Sequence, residues 1–356
     1  MESESTGPSG EAGQYAQIHN LVAAEFTIEE GYVGYGTPTF YVTCLQDVKH
    51  AFLRLYGQFD SMGLTPVLQK SGDRIVLRVL PKPHVNPNRP LVNVALLLAT
   101  VMTTLITGYV LSEETGNPWP GAMMFSVALL SILGAHEMGH KLTADRNRVD
   151  ATFPYFIPGV PPIMPTFGAV IQQKSLPPNR DALFDLGVSG PLIGFLVTVV
   201  VTIFGMSLSS FVFQAPADSV ALPTPLLFEL IRVWFPPSGR GSVLLMHPVA
   251  YAGYIGMVVT MLNLIPVGQL DGGHVAFVLF GGRGRGVLGF LALFLMLFVS
   301  WPMALIALLI SRVGHPGPLD DVSELSLGRK LFALVLVLIF VLSVAPVFSI
   351  LDLFRF

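Results

Sequence analysis

Beyond Pro90 the chain is organised as six apolar runs, each close to the length of about 20 residues that an α-helix needs to cross a bilayer. They are Leu91–Leu111, Ala122–Thr143, Leu186–Val212, a long interrupted run Leu244–Phe280, Val287–Ser311 and Leu331–Ile350. Backbone in hydrocarbon must satisfy its own hydrogen bonds, so such runs predict helices. Composition agrees. Of all residues 52% are hydrophobic and only 12% charged, and the mean hydropathy is +0.64. A soluble domain carries about 25% charged residues, so a soluble all-helical core does not fit. The net charge of −3 gives no basic face for nucleic acid. Cys44 is the only cysteine, which excludes an intrachain disulfide and a CxxC metal site.

The part before Pro90 has a different character. Residues 1–14 are acidic, rich in Gly and Ser and free of Lys and Arg. They read as a disordered tail, neither signal nor transit peptide. Residues 15–80 predict a small soluble α+β domain. Ala24–Val42 suggests one or two strands, and Asp47–Met62 a helix from the spacing of Val48, Ala51, Phe52 and Leu55. Thr65–Gln69 and Arg74–Leu80 suggest two more strands around a Ser71-Gly72-Asp73 turn. No catalytic cluster stands out there, so the domain reads as a regulatory or structural appendage. Residues 81–90 form a stiff, proline-rich linker, and 91–356 the membrane domain.

Loop charges give an orientation. Lys70, Arg74, Arg78, Lys82 and Arg89 precede the first run. Lys141, Arg146, Arg148, Lys174 and Arg180 follow the second, and Arg283 and Arg285 the fourth. The first connection holds Glu113 and Glu114 and no basic residue. Basic loops stay in the cytosol, so both termini are expected there. Without a transit peptide, a prokaryotic plasma membrane is the expected location. The third and fifth connections, with Arg232, Arg240, Arg312, Arg329 and Lys330 beside acidic residues, weaken the pattern slightly.

At the end of the second run stands His136-Glu137-Met138-Gly139-His140. Imidazoles at i and i+4 share one helix face and can share a metal, and Glu137 can polarise a water bound to it. Two histidines need at least one more ligand. Asp271, in Asn263-Leu-Ile-Pro-Val-Gly-Gln-Leu-Asp271-Gly-Gly-His274, is a good third. It lies in the interrupted fourth run, where Pro266 and the glycines break the helix. A carboxylate at membrane depth is expensive and functional by default. The plainer alternative is that Asp271 only caps the helix restarting at Gly272.

The pairing of a transmembrane HExxH with a later Asn-x-x-Pro…Leu-Asp-Gly motif resembles the site-2 proteases, the intramembrane zinc metalloproteases. Pro178–Gly187, Gly190–Gly194 and Leu262–Gly273 are similar to their archaeal, cyanobacterial and chloroplast branch, in which a soluble N-terminal domain also occurs. The resemblance covers about Leu91 to the C-terminus. It implies a polytopic α-helical protein of about six spans with a discontinuous fourth helix and a core of spans two to four. It implies one zinc ion on His136, His140 and Asp271, with Glu137 as general base and then proton donor. Asn263 would steady the substrate backbone or the developing oxyanion. The implied activity is cleavage of a membrane protein's transmembrane segment, with a site-1 type protease acting upstream. A zinc-binding transporter or scaffold without proteolysis is the alternative.

Val149–Gln173, with Pro154, Pro158, Pro161, Pro162 and Pro165, cannot be a regular span. A membrane-associated β hairpin there could pair with an unwound substrate by strand addition. His247 reads as a helix-start or cavity residue, and His274 as support for a ligand or an interfacial histidine. Gly187, Gly190 and Gly194 predict close helix packing. Phe290, Phe294, Phe298 and Trp301 are expected to face lipid or neighbouring helices. Leu226–Trp234 reads as an amphipathic surface helix.

Overall fold

The apolar pattern of the first 80 residues closes a sheet around one helix. In a computed structural model, which describes residues 8–34, 36–44, 47–83, 89–113, 116–213, 222–236, 239, 241–299, 305, 308 and 317–344, β1 (Thr27–Gly34) and β2 (Thr37–Thr43) form a hairpin. Helix α2 (Val48–Ser61) follows, then β3 (Leu64–Ser71) and β4 (Arg74–Pro81). All neighbours are antiparallel, in the order β1-β2-β4-β3. Asp47 caps α2 by accepting from the Lys49 amide at 2.9 Å. The helix buries Ala51, Phe52, Leu55, Tyr56 and Phe59 on its inner face against Phe40, Leu68 and Leu77. Helix α1 (Pro8–Glu25) adds Ile18 and Val22, one turn apart, to the same core. The disordered tail expected over 1–14 is thus helical from Pro8, as an extension of the turns that Ile18 and Val22 anchor; residues 1–7 lie outside the described residues.

The free edge of β3 is not left open. Segment 317–326 runs along it. The Leu68 amide donates to the Leu319 carbonyl at 2.8 Å, and the Asp321 amide to the Leu68 carbonyl at 3.1 Å. Leu319, 4% exposed, completes the core of the N-terminal unit. On its other side the segment bonds the carbonyls of Pro177 and Pro178 through the amides of Leu319 and Asp320, both at 2.9 Å. An edge strand is thereby covered, and the N-terminal unit is tied to the base of the membrane helices.

Beyond the linker come α3 (Pro90–Val110), α4 (Trp119–Arg146), the hairpin β5 (Tyr155–Val160) and β6 (Met164–Val170), and α5 (Arg180–Leu208). A short two-stranded ribbon, β7 (Ser210–Val212) with β8 (Val243–Leu245), flanks α6 (Leu226–Arg232). Helices α7 (Pro248–Asn263), α8 (Asp271–Val299) and α9 (Leu327–Ser343) complete the described chain. Four of these, α3, α4, α5 and α8 (over Asp271–Leu295), are long and apolar enough to cross a membrane. At 16 and 17 residues, α7 and α9 are shorter than that. Six spans were expected; the described residues supply four helices of crossing length. The loop expected at Arg283 and Arg285 is instead a kink inside α8 at Gly281, whose φ of 71° is left-handed.

Helices α4, α5 and α7 pack on one another, and α5 also on α8. Small residues make this possible: Gly253 and Gly256 of α7 lie against Thr202 and Thr198 of α5. Those buried threonines return their hydroxyls to carbonyls one turn back, Thr198 to Gly194 and Thr202 to Thr198, both at 2.8 Å. No polar group there needs water. The outer faces are apolar and exposed, as at Leu98 (61%), Val200 (67%) and Phe290 (70%), which suits contact with lipid. Phe294 is exposed as well; nothing is described of the Phe298 side chain or of Trp301. In α6, Phe228 and Ile231 are buried while Leu230, Val233 and Trp234 beside it are exposed.

Candidate metal centre

One turn apart on α4, His136 and His140 face the same way and are 4% and 7% exposed. Opposite them α5 carries glycine at each point of closest passage. A Cβ on Gly190 would overlap the His140 ring, and one on Gly194 would come within 3.0 Å of His136 Nδ1. Gly187 lies against the Asp271 carbonyl and the His274 side chain. The small-residue face expected to serve helix packing therefore packs on the site itself. On α4, Gly139 likewise lets the Ser189 carbonyl of α5 approach.

The third donor arrives from a broken segment. Helix α7 stops at Asn263, Pro266 has no N–H to continue it, and Gly268 takes a left-handed φ of 55°. Arg285 Nη1 donates to the Gly268 carbonyl at 3.0 Å and so steadies the break. Chain direction is regained at Asp271, the first residue of α8. Gly272 and Gly273 let that first turn seat directly on the carbonyls of Leu264 and Gly268, where a side chain would collide.

Three side chains meet there. Asp271 Oδ2 is 3.3 Å from His136 Nε2, Asp271 Oδ1 is 3.3 Å from His140 Nε2, and the two Nε2 atoms are 3.1 Å apart. Ligands of one tetrahedral ion at about 2.0–2.2 Å lie roughly 3.3–3.5 Å from each other, so this donor set fits a single small divalent cation. His140 Nδ1 donates to the Leu186 carbonyl at 2.8 Å, which leaves Nε2 free to ligate. Glu137 is buried beside the triangle, its Oε1 3.9 Å from His136 Nε2, and is hydrogen-bonded by the backbone of Ile171. With the two histidines it forms a group within 4.8 Å, but Asp271 is nearer to both rings. Asn263 Nδ2 stands 3.1 Å from His136 Nε2.

These groups open onto a cavity of about 860 Å³. Its far wall is the chain leaving β6, Ala169 to Leu176, and Pro83 of the linker stands at its edge. The hairpin pairs Tyr155 with Val170 and Val160 with Met164. It is tied to α3 by Asn93 Nδ2 on the Phe153 and Pro154 carbonyls, both at 3.0 Å. Its ladder continues toward the site through Ala151 and Gln173. His274, one turn beyond Asp271, lines the cavity. His247 does not; its Nδ1 accepts from the Val249 amide at 3.2 Å as the cap of α7. Sequence reasoning missed the Leu186 carbonyl, the Ile171 backbone and Arg285. The first two carry no side-chain signature, and Arg285 was read only as a loop charge.

Long apolar helices enclosing an HExxH pair and a carboxylate from a second, discontinuous helix define the class: a membrane protein with a candidate metal centre of the HExxH type. Residues 124–299 match the family model Peptidase family M50, and the chain thus carries an M50, or site-2 protease, domain. It is similar to the probable zinc metalloprotease EGY1, chloroplastic, of Arabidopsis thaliana, 31% identical over 243 residues, 64% of this chain and 43% of that protein. The EGY1 protein of Oryza sativa subsp. japonica is 30% identical over 64% and 41% of the two chains. The probable zinc metalloprotease EGY2, chloroplastic, of Arabidopsis is 25% identical over 58% and 37%. The chain thus spans less than half the length of these relatives. No solved structure matches it.

Proposed function

We propose that this chain is an intramembrane zinc metalloendopeptidase that hydrolyses a peptide bond in or near a transmembrane segment of another membrane protein. The observation that carries the reading is the convergence of His136, His140 and Asp271 within 3.3 Å of one another, with Glu137 alongside, on one deep cavity. The names of the relatives support zinc as the ion. When bound by these three residues, zinc supplies Lewis acidity toward a carbonyl and lowers the pKa of coordinated water toward about 7. Glu137 takes a proton from the attacking water and passes it to the leaving amine, a role worth about 10²–10⁴-fold. Asn263, at the rim of the triangle, donates its amide toward the substrate backbone or the developing oxyanion. Leu186 holds His140 in the ligating tautomer through its carbonyl.

Substrate handling falls to the hairpin. Its continuation forms one wall of the cavity, and an unwound transmembrane segment can add to it as a strand. The loop charges favour a site toward the cytosolic face, with both termini on that side. Cleavage of a transmembrane reporter in nanodiscs should stop on chelation and return with added zinc. The Asp271→Asn protein should bind zinc more weakly and cleave correspondingly less. A chelator-treated, zinc-free protein that still cleaves would overturn this reading.

A further inference from the structure

A second cavity, of about 570 Å³, lies where the N-terminal unit meets the membrane helices. Its walls come from four parts of the chain: Lys49 and His50 of α2, Arg146 and Arg148 at the end of α4, Asp181 at the start of α5 and Arg329 at the start of α9. Four of these are permanent cations, against the carboxylates of Asp181 and of Asp47.

The carboxylates are already engaged. Asp181 accepts from Lys49 Nζ at 3.0 Å and from Arg329 Nη1 at 2.9 Å, and from the Ser326 amide and hydroxyl. Asp47 caps α2 and pairs with His50 at 3.0 Å. Arg146 and Arg148 are left: neither has an ion-pair partner among the described residues.

Arg148 ends α4: its left-handed φ of 56° closes the helix, with the Arg148 amide on the Asp145 carbonyl at 3.2 Å and the Val149 amide on the Ala144 carbonyl at 2.9 Å. Its carbonyl accepts from the Tyr56 hydroxyl at 3.3 Å. Gly57, inside α2, leaves room for its guanidinium; a Cβ there would lie 3.3 Å from Arg148 Nη1. The Arg148 guanidinium lies over Gly57 without an ion-pair partner among the described residues, which leaves it available to a ligand in the cavity.

We propose that this cavity binds a small phosphate-bearing anion, with Arg146 and Arg148 as its principal contacts. Guanidinium is the side chain that takes phosphate oxygens in bidentate fashion. A volume of about 570 Å³ is within the usual range for a small-molecule site, about 300–1,000 Å³. The same chemistry is offered by a soluble polyphosphate or nucleotide and by the head group of an anionic phospholipid. Either would bridge the N-terminal unit to α4.

The test uses the full chain in nanodiscs, comparing wild type with Arg146→Ala/Arg148→Ala and with the single variant Arg146→Glu. Neither arginine touches the metal centre, so zinc content serves as the control for folding. Pyrophosphate and ATP are titrated into phosphatidylcholine discs, and discs containing phosphatidylglycerol are compared without added anion. Thermal unfolding and isothermal titration are the readouts. Stabilisation by pyrophosphate or ATP assigns a soluble ligand, and stabilisation by phosphatidylglycerol alone assigns a head group. In either case both variants should bind about tenfold or more weakly. No stabilisation by any probe, or equal stabilisation of wild type and both variants, would overturn the proposal.

Discussion

His140 is fixed from three directions, and each fixes something different. The α4 helix sets its height, the Leu186 carbonyl sets its tautomer, and Gly190 leaves the space its ring fills. Gly190→Ala should therefore displace the ring and lower zinc stoichiometry well below that of wild type. Ser189→Ala, which loses only a hydroxyl bond to Leu186, should keep it. Full zinc content in Gly190→Ala, measured by atomic emission, would contradict the packing described. The side chains that converge at the candidate centre were legible in the sequence, since imidazole and carboxylate at such spacing are rare in apolar runs. The Leu186 carbonyl was not, because every residue has one. Nor was the role of Gly187, Gly190 and Gly194: their spacing announced close packing, but the partner could only be seen once α4 and α8 were placed beside them.

At the scale of the element, hydropathy located the helices and misjudged their ends. Helix α5 begins at Arg180, six residues before the apolar run at Leu186. Its polar first turns are helical because Asn179 caps them, accepting from the Ala182 amide at 2.9 Å, and because Asp181 and Asp185 find Lys49 and Arg329. A transfer scale registers none of this. Asn179 is only 4% exposed, so Asn179→Ala should cost about 1 kcal/mol and lower the thermal midpoint. An unchanged midpoint would show that the cap is not what starts the helix. The break between α7 and α8 was readable from Pro266 and its glycines. The kink at Gly281 was not, because glycine beside Arg283 and Arg285 equally signals a loop.

Across the whole molecule, the N-terminal unit and the membrane helices are joined by segment 317–326. A stretch of Gly, Pro, Asp and Ser reads as a connection, and nothing in its composition shows that Leu319 completes a core more than two hundred residues earlier. Leu319→Ala should cost roughly 2–5 kcal/mol of that core's stability. Hydrogen exchange at the amides of Leu68 and Asp321, which bond across the junction, should quicken while zinc content holds. Unaltered protection at both would mean that the segment does not anchor the N-terminal unit. The candidate metal centre, in contrast, is assembled within the membrane helices, and the proposed chemistry depends on one carboxylate outside the proposed ligand set. Glu137→Gln keeps the size of the side chain and removes its proton-transfer capacity. The decisive measurement is zinc content and transmembrane-reporter cleavage on that one variant. The expected result is zinc equal to wild type with cleavage reduced about 10²-fold or more; undiminished cleavage with zinc in place would contradict the mechanism.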